Sequence, residues 1–361
     1  MRVLHIAAYN RNVGDNIAII NARKSWEEHV DNIIWLDQDV GQYWNPQLTI
    51  QNLINHFQQI SQTVDAILVG GGGLVEYGGY EHNATGYKLP FNKQILTSIN
   101  TPVFFHGVGI NIFRGGIPYS AKAKQALQET IDYSGGFSVR NDGSFEKIRD
   151  WIQLDTTNVD VIPDPGLLYL DQVQVPQKEF ILKGGFQPAF NSSPGINRER
   201  FGSDDNIEWT KQFSKQFICY PHTPKDYGRI PATPVVDHIE FGNTYVKTPN
   251  TLKFLELYKK VDYVVAMRGH GQLITIGMNV PGLYFTTQDK VRDFSLLNGY
   301  QDYNIDIQEP DWKTKLATLN EKIKNDRDYQ ANWYEITKNN MPIWYKMNSD
   351  FVLKNKKKHG L

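Results

Sequence analysis

A single cysteine, Cys219, among 361 residues excludes an intrachain disulfide and with it an oxidised structural framework. It lies in the apolar-leaning run Phe217-Ile218-Cys219-Tyr220, where a buried, inert thiol is expected rather than a nucleophile. An excess of one charge is also lacking, since 38 basic residues face 39 acidic ones. A surface that tracks phosphates needs a basic excess, so nucleic acid is excluded as the main partner. The local exception is Lys354, Lys356, Lys357 and Lys358 near the end. They read as a solvated tail, with a weak membrane-surface or polyanion contact as the lesser reading. No stretch approaches the roughly 18 apolar residues of a transmembrane helix, so no integral membrane segment is expected. Met1-Arg2-Val3-Leu4-His5-Ile6 turns polar too soon for a signal sequence, and a cytoplasmic protein is the expectation. The nine histidines show no paired ligand spacing, so no metal or other cofactor is expected. A G-x-S-x-G elbow, a Walker loop and the dinucleotide G-x-G-x-x-G fingerprint are absent too.

What is present reads as repeated β-α units. Val3 to Ala8 is an apolar run ending in Asn10-Arg11-Asn12-Val13-Gly14-Asp15, and a helical pattern follows through Ile17, Ile20 and Ala22 towards Trp26. Further strands are expected at 33–36, 65–69, 102–105, 136–139 and 159–162, with helices at 50–60, 120–133 and 144–151. The pattern recurs later. Strands are expected at 180–182, 216–220, 262–267 and 280–285, with helices at 251–258 and 273–278. Residues 184–205, rich in Asn, Ser, Gly and Pro, read as a loop that either closes over a site or is ordinary surface. Two domains suit the length. The expected fold class is α/β, with two Rossmann-like domains facing a central cleft. The expected boundaries are 1–170, 171–330, and a helical segment with a basic tail over 331–361.

The unusual residues fall where strands finish, and in open α/β sheets the ligand crevice lies outside the carboxyl ends of the strands. Gly70-Gly71-Gly72-Gly73 follows a strand directly. It reads either as a turn needed for packing or, preferably, as backbone N–H groups turned towards an anion. His106-Gly107-Val108-Gly109 is a shorter version. Arg268-Gly269-His270 is the sharpest signal: an arginine grips phosphate or carboxylate bidentately, and a histidine two residues on exchanges a proton near neutral pH. Arg140 reads as a second anion grip, with Asn141 and Asp142 as its turn. Asp15 reads as a hydroxyl ligand or a helix cap, and Asp164, between Pro163 and Pro165, as turn chemistry. Nineteen Tyr and eight Trp suit ring-stacking surfaces such as those for sugars.

These segments together resemble the polysaccharide pyruvyl transferase family. The likeness runs through Asn12-Val13-Gly14-Asp15, Val69-Gly70-Gly71-Gly72-Gly73-Leu74, His106-Gly107-Val108-Gly109 and Ser138-Val139-Arg140-Asn141-Asp142. It continues in Pro163-Asp164-Pro165 and in Arg268-Gly269-His270 followed by Val280-Pro281-Gly282, in order over roughly residues 1 to 300. The resemblance implies a GT-B-like fold and transfer of the enolpyruvyl unit of phosphoenolpyruvate to two hydroxyls of a saccharide or lipid-linked glycan, releasing phosphate. It implies His270 and Arg268 as catalytic residues. Substrate contacts are implied at Asn12, Gly14, Asp15, Gly71, Gly72, Gly73, His106, Gly107, Arg140, Asp164, Arg268 and Gly269. The sequence departs from the family where Arg268-Gly269-His270 stands for the usual Arg-Leu-His, and Arg140-Asn141-Asp142 for the frequent Arg-Asp. Two other readings stand beside it: a GT-B glycosyltransferase with a nucleotide-sugar donor, and a non-catalytic sugar- or anion-binding protein.

Overall fold

A computed structural model describes residues 1–76, 80–111, 119–167, 184–190, 199–223, 226 and 248–361. By internal contacts the chain divides into two units. One holds Met1–Tyr9, Ala18–Pro165 and Trp344–Leu361; the other holds Asn10–Ile17 and Gly166–Ile343. This differs from the expected boundaries in two places. Residues 10–17 group with the second unit although strand and helix flank them in the first, and the last eighteen residues group with the first unit. The strand expected at 180–182 and the boundary expected between 170 and 171 lie outside the described residues.

The first unit is a six-stranded parallel sheet in the order β2-β1-β3-β4-β5-β6. Its strands are β1 (Arg2–Ala7), β2 (Ile34–Asp39), β3 (Ala66–Glu76), β4 (Val103–Asn111), β5 (Gly136–Arg140) and β6 (Val159–Ile162). Its helices are the body of α1 (Val13–Glu27), α2 (Ile50–Ser61), α3 (Lys93–Thr97), α4 (Ala121–Tyr133) and α5 (Ser144–Glu146), the last continuing as a π-helix over Lys147–Ile152. Central strands buried on both faces need unbroken apolar runs rather than alternation, and Ala66-Ile67-Leu68-Val69 and Val103-Phe104-Phe105 supply them. Polar side chains set the helix starts. Asn12 accepts from the Gly14 N–H at 2.8 Å, Thr49 and Asn52 form a reciprocal capping box, and Ser120 caps α4.

Three sequence expectations change here. β3 does not stop at Val69 but runs through the glycines to Glu76, with Gly70 paired to His106 and Gly72 to Val108. Positive φ at Gly71 (85°) and Gly72 (134°) kinks the strand, and the register shifts between Gly72 and Val75 without ending the ladder. β4 likewise runs through His106-Gly107-Val108-Gly109 to Asn111. The basic tail is a docked helix end. Lys354 pairs with Asp160 at 2.8 Å, while Lys356 and Lys358 donate to the carbonyls of His29 and Gly135. Phe351 and Val352 are buried with Trp26 and Phe104.

The second unit is a five-stranded parallel sheet in the order β11-β10-β9-β7-β8. Its strands are β7 (Gly184–Gln187), β8 (Ile218–Cys219), β9 (Tyr263–Ala266), β10 (Gly282–Thr286) and β11 (Asn304–Asp306). Its helices are α6 (Asp204–Ser214), α7 (Thr248–Tyr258), α8 (Gly269–Gly277), α9 (Asp289–Leu297) and α10 (Trp312–Asn325). To these it adds the part of α11 (Arg327–His359) up to Ile343. The expected loop over 184–205 therefore begins as a strand of the sheet interior, and residues 191–198 of it lie outside the described residues. Gly184 and Gly185 masked it: a strand opening on two glycines lacks the β-branched signature. Cys219 is buried in β8, as its run of neighbours indicates. Among the described residues no helix is long and apolar enough to cross a membrane.

Candidate functional site

Parallel sheets place their ligand crevice at the carboxyl ends of the strands where the chain order reverses. In the second unit that reversal falls at β7, whose neighbours are β8 and β9. Gln187 closes β7, and Arg268 follows β9 as the N-cap of α8. The Gln187 side chain is buried, and its Oε1 accepts the Arg268 amide at 2.9 Å. The end of β7 thus takes up the backbone N–H of the N-cap residue itself, and the Arg268 side chain, a donor only, makes no cap.

Asp226 stands against Arg268. The guanidinium Nε donates to Oδ2 at 2.9 Å and Nη2 donates to Oδ1 at 2.5 Å, a two-point grip on a fully buried carboxylate. Burial pushes the Asp226 carboxyl above its ordinary range, against the pull of Arg268. His222, also fully buried, pairs through Nε2 with the Tyr258 hydroxyl at 2.7 Å. Burial, helped by the charges of Arg268 and His270, holds His222 well below its usual range, so it is a neutral ring.

His270 sits two residues into α8 with its side chain 10% exposed, and its Nδ1 lies 3.4 Å from Asp15 Oδ1. Asp15 is in the first turn of α1; the cap is Asn12, so Asp15 is released from the capping role the sequence allowed it. Two contacts hold this turn. The Val13 N–H donates to the His222 carbonyl at 3.1 Å, and Asn16 donates to the Thr251 hydroxyl at 3.0 Å. Gly14 is required by close approach, because a Cβ there would overlap the His270 side chain. Gly269 is different: a Cβ there meets only the flexible Lys290 side chain, at 3.4 Å. Residues 12–15 and 268–270 therefore belong to one unit, where the sequence suggested opposite walls.

The other expected site residues lie in the first unit and are engaged internally. Arg140, 3% exposed, is held between Asp142 (2.7 Å) and Asp164 (2.8 Å), so its charge is matched by two carboxylates. Asp142, in the turn at 141–143 that the sequence suggested, and Asp164 are both partners of Arg140. His106 is fully buried, its Nδ1 accepting from the Trp26 indole at 3.2 Å and its ring 5.5 Å from Phe351. Burial drives it down to about 3, so it is a neutral histidine within the core. Gly71 packs against Ile19 and Gly73 lies beside Asn111, while Gly107 abuts Pro165; with Gly72 these glycines lie within the paired strands β3 and β4. Gln187, Asp226, His222 and Arg200 were not singled out as site residues in the sequence. Of these, His222 alone has a findable signal, standing two residues beyond the strand expected at 216–220.

The profile of the polysaccharide pyruvyl transferase family matches residues 6–289 of the chain. Among solved structures, the chain is similar to a putative UDP-N-acetylglucosamine 2-epimerase from Listeria monocytogenes. The TM-score is 0.56 and identity 12%, covering 99% of this chain and 96% of that one. It is likewise similar to a glycosyltransferase from Rickettsia africae (TM-score 0.56, 10% identity, 99% and 98% covered). A UDP-N-acetylglucosamine 2-epimerase from Rickettsia bellii gives a TM-score of 0.53 at 11% identity, with 99% and 98% covered. At such identities these likenesses establish a GT-B-like fold alone. A search of curated proteins finds no match to the sequence. The family profile covers most of the chain and every motif from Asn12 to Gly282, and the chain belongs to the polysaccharide pyruvyl transferase family.

Proposed function

We propose that the protein transfers the enolpyruvyl unit of phosphoenolpyruvate onto two hydroxyls of a saccharide, forming a cyclic pyruvate ketal and releasing inorganic phosphate. The observation that carries this reading is the His270–Asp15 pair, with Arg268 two residues before the histidine, in a chain of this family. A carboxylate on Nδ1 orients the imidazole and leaves Nε2 as its working nitrogen. His270 delivers a proton to the methylene carbon C3 while a sugar hydroxyl adds to C2, and the hydroxyl's proton restores the imidazole. The C2–O bond to phosphate then breaks, and the second hydroxyl closes the ketal as its proton leaves with phosphate. Arg268 binds an anionic end of the donor, its other edge being fixed by Asp226.

Phosphate release in the presence of phosphoenolpyruvate and a panel of saccharides tests this, alongside thermal shifts with phosphoenolpyruvate and with nucleotide sugars. Stabilisation and phosphate release with phosphoenolpyruvate are expected. Stabilisation by nucleotide sugars alone would put a glycosyl donor in its place.

A further inference from the structure

Arg200 lies outside every sequence motif, just ahead of α6. Its Nη1 donates to the Ala189 carbonyl at 3.1 Å. Ala189 is two residues beyond Gln187, whose side chain receives the Arg268 amide, so both arginines are tied to the carboxyl end of β7. The charge of Arg200 acts on both Arg268 and Asp226. Burial, then the neighbouring Arg268, lowers the Arg200 guanidinium to about 10, which still leaves it charged at neutral pH. Both guanidinium groups act on the one buried carboxylate, Asp226; the other carboxylate acting on Arg200, Glu199, is exposed and water-screened, so the partly buried charges at this end of β7 leave a positive excess. Asp226 takes the Nε–Nη2 edge of Arg268, and the Nη1 edge stays outside that pair. An Arg268–Asp226 pair alone is electrically neutral and attracts an anion weakly. The second guanidinium supplies the net attraction.

We propose that Arg200 and Arg268 together form a two-guanidinium subsite for the phosphate group of the donor, with Asp226 as a positioning residue that fixes the Arg268 fork. The inference rests on the phosphoenolpyruvate reading above for the identity of that donor, but the subsite is testable with inorganic phosphate alone. Calorimetric titration of the full chain with inorganic phosphate, phosphoenolpyruvate and pyruvate would compare wild type with Arg200→Gln and Arg200→Lys. For Arg200→Gln, affinity for phosphate and phosphoenolpyruvate should fall by about tenfold to a hundredfold, as expected for a lost charge-assisted contact. Affinity for pyruvate, which has no phosphate, should move less than about threefold. Arg200→Lys, which keeps the charge and loses the fork, should fall between the two. Unchanged phosphate affinity in a folded Arg200→Gln protein overturns the subsite, and if that variant does not fold, wild-type affinity in Arg200→Lys does so. Wild-type protein that binds phosphate yet never turns over phosphoenolpyruvate would leave the subsite standing and remove the donor assignment.

Discussion

At the scale of single residues, the pair proposed to carry the proton is His270 and Asp15, and its parts carried different signals in the sequence. Arg268-Gly269-His270 was legible because a cation and an imidazole at a strand end have few structural uses. The partner of His270 was not, since Asp after a loop is a helix cap by default. Only the fold reveals that Asn12 takes the cap and frees Asp15 for the histidine. Asp15→Asn should therefore lower kcat by about tenfold or more and leave KM for phosphoenolpyruvate within about threefold, because it disturbs a proton carrier rather than a binding contact. Steady-state kinetics separates the two. Gly14→Ala inserts a methyl group into the His270 side chain, so it should destabilise the protein by about 1–3 kcal/mol and abolish transfer together. Urea unfolding beside the activity assay reads both; an active, equally stable variant would contradict the packing.

At the scale of elements, strand order was largely legible, because long apolar runs before polar, glycine-rich segments mark β-α units. Strand ends were less so. The four glycines look like a loop in one dimension, yet a pair of left-handed residues lets β3 kink and keep pairing with β4. β7 was hidden because its residues include two glycines and a glutamine, and only its position between β8 and β9 makes it a strand. Arg140, at the end of β5, looked like an anion grip for the same reason as Arg268. What the sequence could not disclose is that Asp142 and Asp164 both turn onto it, with Gly109 clearing the space beneath its guanidinium. Arg140→Ala leaves two carboxylates buried without their cation, and the expected loss is about 3–5 kcal/mol of stability. Denaturant melts of Arg140→Ala against wild type measure it. A loss below about 1 kcal/mol, with activity gone, would mean that Arg140 binds substrate instead.

At the scale of the whole molecule, three histidines fully buried among the described residues tie stability to pH on the acid side. His5, His106 and His222 are all held below their ordinary range by burial. Each is neutral in the folded state and takes up a proton more readily when unfolded. Their contribution is therefore complete above pH of about 6.5 and is lost as pH falls through the acid range, for His106 down to about 3. The expected slope is up to about 1.4 kcal/mol per pH unit for each ring. His106→Gln should flatten the dependence of unfolding free energy on pH by about that amount between pH 6 and 4, measured by urea titration. An unchanged slope would mean that His106 is solvated.

The proton that His270 is assigned to deliver can be followed directly. Transfer from phosphoenolpyruvate run in deuterium oxide, with the saccharide product read by mass spectrometry, should give a ketal whose methyl group carries one deuterium. One phosphate should be released per ketal, and both signals should fall by about a hundredfold or more in His270→Gln. A ketal without deuterium in its methyl group, or full turnover in His270→Gln, would contradict the assignment.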